Sequence, residues 1–215
     1  GAHAQMKVAI VSEFLADQAA LRILVEAVLN EQIEPAPLRG RPGGWHAVLK
    51  ALPAIVPALY YGAIAEGLVV VLDSNRSPVH EGPFGEDCQG WQECRLCQVR
   101  RRISQAKTSL KPVSYRGPLL TAIGLAVPAI EAWYLCGENP NVSENAWIVG
   151  MREDRPPYTR SQLKQEAYGT QRASLALETE RATEEMHRVV ANLDQLERKF
   201  PQGFGALRSD LRGWL

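Results

Sequence analysis

Three carboxylates of this chain each follow an apolar, strand-like segment or open the helix after one: Glu13, Asp73 and Glu131. Ligands of α/β proteins gather at the carboxyl ends of parallel strands, so we expect these groups at one edge of a sheet. Asn75 adds an amide oxygen two positions beyond Asp73. Oxygen ligands of this kind suit Mg²⁺, or Mn²⁺ in its place, and such an ion can activate water for phosphoryl transfer. The sequence therefore predicts a magnesium site of Glu13, Asp73, Asn75 and Glu131, with the three carboxylates catalytic.

Two of these carboxylates, Asp73 and Glu131, also have a purely structural interpretation. Asp73 stands with Ser74 and Asn75, and all three are common turn residues. Glu131 lies in an apolar segment, where a carboxylate needs partners inside the fold if it is buried. The catalytic interpretation requires the carboxylates to face the same cleft.

A second group of residues has the composition of a zinc site. Cys88, Cys94 and Cys97 are spaced as Cys-x5-Cys-x2-Cys, and His80 precedes them. Three thiolates and one imidazole form a common tetrahedral zinc set, which here would be structural and would hold the 77–90 loop to the next helix. One Cys-x2-Cys pair is only half of the usual double-pair pattern, so free thiols and an ordinary loop histidine remain the alternative.

A basic helix is predicted over residues 93–110, and no Asp or Glu occurs between Arg95 and Arg116. Neutralisation of backbone phosphates by basic side chains is the main source of protein affinity for nucleic acid. The basic face of this helix is therefore a candidate contact for a nucleic-acid backbone. The alternative is a solvated face balanced by nearby acids, because the 24 basic and 24 acidic residues of the chain cancel. The residues predicted to bind nucleic acid are Arg76, Arg100, Arg101 and Lys107.

The elements that must position these groups alternate between strand and helix. Strands are predicted over 7–12, 68–72 and 119–127, an edge strand over 32–36, and helices over 15–29 and 45–65, the latter interrupted by Pro53 and Pro57. This order predicts an α/β fold with a mostly parallel sheet and helices on both faces. We expect a core over 6–137, carrying a cysteine-containing insertion at 77–97, and a C-terminal helical cap over 138–215.

Composition limits the function classes. Apolar residues make up 46% and charged residues 22% of the 215 positions, which is typical of a globular chain with a sizeable core. No signal peptide is recognisable, and the most apolar run, 119–130, is too short to span a bilayer. We therefore expect a cytoplasmic protein with reduced cysteines. No Gly-Lys-Ser/Thr follows the glycine-rich loop at 39–44, which excludes a P-loop nucleotide site.

The motifs resemble a known family. Glu13-x-x-x-Asp17 and the Leu72-Asp73-Ser74-Asn75-Arg76 run look like the glutamate and the Asp-x-Asp of a TOPRIM fold. More specifically, the chain is similar to an uncharacterised bacterial TOPRIM-like family associated with phage defence and related to overcoming-lysogenisation-defect nucleases. The segments that carry this similarity are Gly43-Gly44, Val70 to Asp73, Gly124 to Leu135, and a helical tail over 193–211 that contains Phe200-Pro-Gln-Gly-Phe204.

The resemblance implies Mg²⁺-dependent hydrolysis of nucleic-acid phosphodiesters, with Glu13 as general acid/base or ligand and Asp73 with position 75 holding the ion. Two positions depart from the family pattern, because Phe14 replaces a glycine and Asn75 replaces an aspartate. These departures favour an alternative, a catalytically impaired regulatory or interaction subunit whose helical cap contacts a protein encoded in the same operon. A nucleotide-hydrolysing enzyme on the same acidic site is a third interpretation.

Overall fold

The computed structural model describes residues 5–40 and 42–215, and residue 41 of the predicted glycine-rich loop lies outside this description. The described residues form one four-stranded, entirely parallel sheet in the order β2-β1-β3-β4. The strands are β1 (Met6–Ser12), β2 (Ile33–Pro35), β3 (Gly67–Asp73) and β4 (Leu120–Ala126). The predicted α/β class is therefore confirmed.

The central strand β3 is buried at every position, as its run of apolar residues predicts for a strand covered on both faces. Its register pairs Val71 with Ser12 of β1, and Asp73 with Ala126 of β4. β2 is a three-residue edge strand that ends at Pro35, a residue that suits an edge because it has no N–H to donate. The carboxyl ends of β1, β3 and β4 consequently lie side by side.

Nine α-helices occur in the part of the chain that is described. They are α1 (Gln18–Leu29), α2 (Trp45–Tyr61), α3 (Arg95–Thr108), α4 (Ile130–Tyr134), α5 (Glu144–Arg152), α6 (Arg160–Tyr168), α7 (Leu175–Val189), α8 (Leu193–Lys199) and α9 (Gly203–Arg212). Within residues 5–40 and 42–215, no helix combines the length and the apolar character needed to cross a membrane.

The predicted interruption of α2 at Pro53 and Pro57 is wrong, because the helix runs through both prolines. Pro53 is exposed and Pro57 is half-buried, four residues further on, so the missing N–H groups lie away from the core. The opposite face buries Leu52, Val56 and Leu59, and this packing outweighs the local cost of the prolines.

The helices form two layers around the sheet. α1 and α9 contact each other and cover one face, while α2 and α3 pack together on β3 and β4 at the other face. The chain passes from β1 through α1 to β2 and then returns past β1 to β3. Right-handed crossovers in opposite directions place the connecting helices on opposite faces.

The end of the chain closes the β4 edge of the sheet. Asp210 Oδ2 accepts a hydrogen bond of 3.0 Å from the N–H of Ile123, and Trp214 Nε1 donates to the carbonyl of Thr121 at 3.3 Å. Glu144 accepts from the backbone N–H groups of Gln202 and Gly203 at the start of α9, both at 2.8 Å. A paired edge has fewer free backbone groups for unwanted association.

Replacing Gly203 with Ala is expected to destabilise the fold, because a Cβ at this position would lie 1.8 Å from the carbonyl oxygen of Leu125. We expect a loss of about 3 kcal/mol in the free energy of unfolding, measured by urea denaturation. Gly117→Ala is the matched control, since its Cβ would meet nothing within 4 Å. Equal stability of the two variants would contradict the close packing of α9 on β4.

Candidate functional site

The strand order reverses between β1 and β3, which makes this the point where α/β sheets bind ligands at the carboxyl ends of their strands. Glu13 follows β1 directly and Asp73 is the last residue of β3. Glu13 Oε1 accepts a hydrogen bond of 3.1 Å from the backbone N–H of Asp73. Two of the predicted site residues therefore meet across the switch point.

Glu131 joins this group as the second residue of α4 and is buried. Its Oε1 accepts a hydrogen bond of 3.3 Å from the hydroxyl of Tyr168, whereas its buried Oε2 has no hydrogen-bond partner among the described residues. The N–H of Ile130 donates to Asp73 Oδ1 at 2.9 Å, which joins the start of α4 to the end of β3. The three predicted carboxylates thus share one edge of the sheet.

Asp17 is a fourth carboxylate of this edge. It is buried, and its Oδ1 accepts a hydrogen bond of 2.7 Å from the hydroxyl of Tyr134. Burial raises the pKa of Asp17 from 3.8 to about 7, and the negative charge of Glu131 adds to the effect. From the sequence, Asp17 is recognised in the Glu13-x-x-x-Asp17 motif but is not predicted to be a site residue.

The charge of Asp73 is set by opposing neighbours. Burial raises its pKa well above the ordinary value, and the negative charge of Glu131 raises it further. Arg160 acts in the opposite direction, since its Nη2 lies 2.8 Å from Asp73 Oδ2. The concentration of buried negative charge around Asp73 favours binding of either a proton or a cation at this carboxyl group.

Arg160 is the first residue of α6, whose N-terminus is fixed by a capping box between Thr159 and Gln162. Besides Asp73, its guanidinium reaches Asn75, with Nη1 at 3.4 Å from the amide oxygen. The guanidinium also lies over the ring of Phe14, 4.9 Å from its centroid. The ring of Phe14, at a position where the resembled family has a glycine, therefore contacts the Arg160 guanidinium through a cation–π interaction.

Arg95, the first residue of α3, brings a second guanidinium to the site. Its Nη1 donates to the carbonyl oxygen of Asp73 at 2.7 Å and lies 3.5 Å from Glu13 Oε1. From the sequence, Arg95 is predicted only as one residue of the basic helix face. No sequence pattern indicates Arg160, which is distant along the chain. The site therefore combines four buried carboxylates with two arginines.

The structure also brings together the predicted zinc ligands, His80, Cys88, Cys94 and Cys97, whose ligand atoms all lie within 4.8 Å of one another. The Cys88 and Cys97 sulfurs are 3.5 Å apart, and His80 Nδ1 lies 3.3 Å from Cys97 Sγ and 3.8 Å from Cys94 Sγ. Tetrahedral zinc with ordinary bond lengths separates its ligands by about 3.5–3.8 Å. This cluster is arranged to bind a metal ion such as zinc.

The surroundings of the cluster suit a metal as well. His80 Nε2 lies 3.3 Å from the carbonyl of Pro83, which leaves Nδ1 facing the sulfurs when Nε2 carries the proton. Burial lowers the pKa of His80, which favours the neutral imidazole that ligates metals. Arg100 Nη2 lies 3.5 Å from Cys97 Sγ, where it can offset thiolate charge. Cys94 and Cys97 lie at the start of α3, as the sequence predicts.

The four residues predicted to bind nucleic acid occupy different surroundings. Arg100 and Arg101 both pair with Asp87, at 3.5 Å and 2.6 Å, so a nearby acid partly balances them. Lys107 is half-buried on α3, and burial lowers its pKa while the negative charge of Asp210 acts in the opposite direction. Arg76 is exposed just beyond β3 and forms no ion pair with the described residues.

Comparison of this chain with protein-family models, with curated proteins and with solved structures finds no match. The resemblance to a TOPRIM-like family therefore depends on the motifs given above and stays a prediction.

Purified protein is expected to contain about one zinc ion per chain, measured by elemental mass spectrometry after folding in zinc. Cys94→Ser and Cys97→Ser should each lower the zinc content well below that of the unaltered chain and lower the melting temperature, because each removes a ligand. Cys136→Ser is the control, since Cys136 is a buried thiol outside the cluster. Full zinc content in both ligand variants would contradict the assignment.

Asp17→Asn is expected to flatten the pH dependence of stability. Because folding raises this pKa, the stabilising contribution of Asp17 is complete below about pH 4 and is lost as the pH rises through about 7. About three pKa units correspond to about 4 kcal/mol, an upper bound on the change in the stability difference between wild type and variant from pH 4 to pH 8.

Urea unfolding at several pH values measures this difference. Asp154→Asn serves as the control, since Asp154 is exposed and its left-handed backbone (φ 51°) accommodates asparagine. A wild-type-minus-Asp17→Asn difference that is constant with pH would rule out the raised pKa.

Proposed function

We propose that this chain is a magnesium-dependent hydrolase of nucleic-acid phosphodiesters. The observation that carries the proposal is the convergence of Glu13, Asp73 and Glu131 at the switch point, with the buried Oε2 of Glu131 lacking any hydrogen-bond partner among the described residues. An unpaired buried carboxylate oxygen is costly, and a bound cation would compensate it. The carboxylates therefore fit a cation better than they fit a purely structural role.

The donor set suits Mg²⁺ in particular, because it offers oxygen atoms only. Glu13, Asp73 and Glu131 would hold the ion, with the amide oxygen of Asn75 as a neutral fourth ligand. Arg160 now contacts both Asp73 and Asn75, so its guanidinium would share or give up these oxygens on loading. When bound, Mg²⁺ supplies Lewis-acid activation of water and neutralises developing phosphoryl charge.

Side chains of the site would carry out proton transfer and phosphate binding. Glu13 takes the proton from the attacking water as the new P–O bond forms, and that proton is returned to the leaving oxygen as the old P–O bond breaks. Arg95 and Arg160 are the guanidiniums nearest to the carboxylates, and their N–H groups would bind the non-bridging phosphate oxygens.

The TOPRIM-like identity of the fold belongs to the same proposal. The all-parallel sheet is compatible with it, and the motif residues Glu13, Asp73 and Glu131 share one edge of that sheet. Phage defence is the cellular role that the resemblance suggests for such a nuclease.

One observation favours the alternative, a regulatory or interaction subunit that contacts a protein partner from the same operon. Arg160 joins Asp73 to Asn75, and Arg95 lies beside Glu13, so each strand-end acid already has a positive neighbour. A stable arrangement of this kind needs no ion and no substrate.

Hydrolysis of end-labelled single-stranded and duplex oligonucleotides, with and without Mg²⁺ or Mn²⁺, tests the proposal. We expect cleavage only with a divalent ion, and a loss of about 100-fold or more in Glu131→Gln and Asp73→Asn, because each removes a negative charge that would hold the ion. Glu153→Gln, an exposed acid outside the site, is the control.

Manganese binding, followed by electron paramagnetic resonance, provides a readout that does not depend on turnover. Glu131→Gln keeps the size of the side chain, so lost binding with an unchanged circular dichroism spectrum supports the metal site. A wild-type chain that neither binds manganese nor cleaves either oligonucleotide would leave the interaction subunit as the better assignment.

A further inference from the structure

A groove between α2 and α3 leads away from the acidic site, and its lining is unlike that of an ordinary helix interface. On α2 its wall consists of residues spaced four apart, so that each lies next to the one before it on the helix surface. These residues are Leu49, Pro53, Pro57 and Tyr61. The facing side chains of α3 and of the two residues after it are mostly polar or basic, namely Gln98, Arg101, Arg102, Gln105 and Ser109, with Ala106 and Leu110 as the apolar ones.

The groove contains two adjoining cavities of about 310 Å³ each. Arg102 and Gln105 line both, so the cavities lie side by side along α3. Leu49 and Trp91 also line the first cavity, and Tyr61 lines the second.

The charge of the two helices is entirely positive. Neither α2 nor α3 contains an Asp or Glu, although the whole chain is neutral. Arg100 and Arg101 pair with Asp87 of the preceding loop, whereas Arg102 is exposed and forms no ion pair with the described residues. A polyanion is therefore the complementary ligand for this groove.

The aromatic rings beside the groove indicate which class of polyanion it binds. Tyr61 is half-exposed, at 50% of the residue surface, and the guanidinium of Arg101 lies 3.8 Å from the centroid of the Trp91 ring. Exposed rings and planar guanidiniums stack on unpaired bases, while the bases of a duplex are already stacked on each other. This combination of rings and cations is the one that single strands need.

The first turns of α2 and α3 connect the groove to the acidic site. Arg95 lies over the ring of Trp45, at 4.8 Å from its centroid, and the same arginine donates to Asp73 and lies beside Glu13. Trp45 is the first residue of α2, one turn before Leu49, and Arg95 precedes Arg102 by two turns on the same side of α3. A strand that extends from the groove along this side of α3 would bring a phosphate to Arg95, beside the carboxylates.

We infer that the α2–α3 groove binds single-stranded nucleic acid and delivers it to the acidic site. This inference rests on the proposed function for its substrate class and adds that the strand is unpaired. Tyr61 stacks on a base, and Arg102 contacts a backbone phosphate.

Fluorescence anisotropy of the full chain with labelled strands of about 20 nucleotides tests the inference, using deoxythymidine, uridine and duplex probes without added divalent cation. We expect at least one single-stranded probe to bind about 10-fold or more tightly than the duplex. The deoxythymidine and uridine probes separate DNA from RNA as the source of the strand. Equal affinity for single strands and duplex would overturn the inference.

Variants test the two contacts. Tyr61→Ala should weaken binding by about 5-fold or more, whereas Tyr61→Phe, which keeps the ring but loses the hydrogen bond to the N–H of Lys111, should bind like wild type. Arg102→Gln should weaken binding and reduce the slope of log affinity against log salt by about 0.7. Arg172→Gln, an exposed arginine between α6 and α7, is the matched control.

The outcomes separate this inference from the proposed function. Tight single-strand binding without cleavage, retained in Glu131→Gln, would support the groove and contradict the hydrolase. Cleavage with unchanged KM in Tyr61→Ala and Arg102→Gln would support the hydrolase and overturn the groove. Equal weakening by Tyr61→Phe and Tyr61→Ala would show a structural effect of the hydroxyl and would also overturn base stacking.

Discussion

The burial of four carboxylates at one edge of the sheet is the constraint on which the rest of this structure depends. Glu13, Asp17, Asp73 and Glu131 are each less than a tenth exposed, and the charges of the other three raise the pKa of Asp73 beyond the effect of its burial. Such a cluster persists only where donors are supplied. Apart from the N–H of Asp73 itself, the donors come from outside the strands, as hydroxyls of Tyr134 and Tyr168, the N–H of Ile130 and two guanidiniums.

This requirement explains why the C-terminal helices cannot be treated as an appendage. Arg160 and Tyr168 stand at the two ends of α6 and contact Asp73 and Glu131, so α6 supplies the site with a charge and a hydroxyl. α9 stabilises the edge strand β4 by packing against it and by accepting a hydrogen bond from its backbone. The predicted boundary at 137 separates segments that share a site, and the division into core and helical cap stays a prediction.

The sequence predicted the elements that depend on local pattern and missed the contacts that depend on distance. β3, β4 and α3 follow from apolar runs and helical spacing, and Glu13, Asp73 and Glu131 meet because parallel strands end at one edge. The partnership of Arg160 with Asp73 joins positions 87 residues apart, and no periodicity encodes such a pair. The continuity of α2 also escaped local rules, because the burial of Leu52, Val56 and Leu59 outweighs the cost of its prolines.

The first turn of α3 connects the two predicted metal sites physically. Cys94 and Cys97 belong to the histidine–cysteine cluster, and Arg95 between them reaches Asp73 and Glu13. Side chains one and two positions apart on a helix point in different directions, so one turn can face both sites. Anything that fixes the cluster also fixes the orientation of Arg95, and with it the start of the α2–α3 groove. A structural metal in the loop would therefore act on the acidic site by positioning an arginine, without taking part in its chemistry.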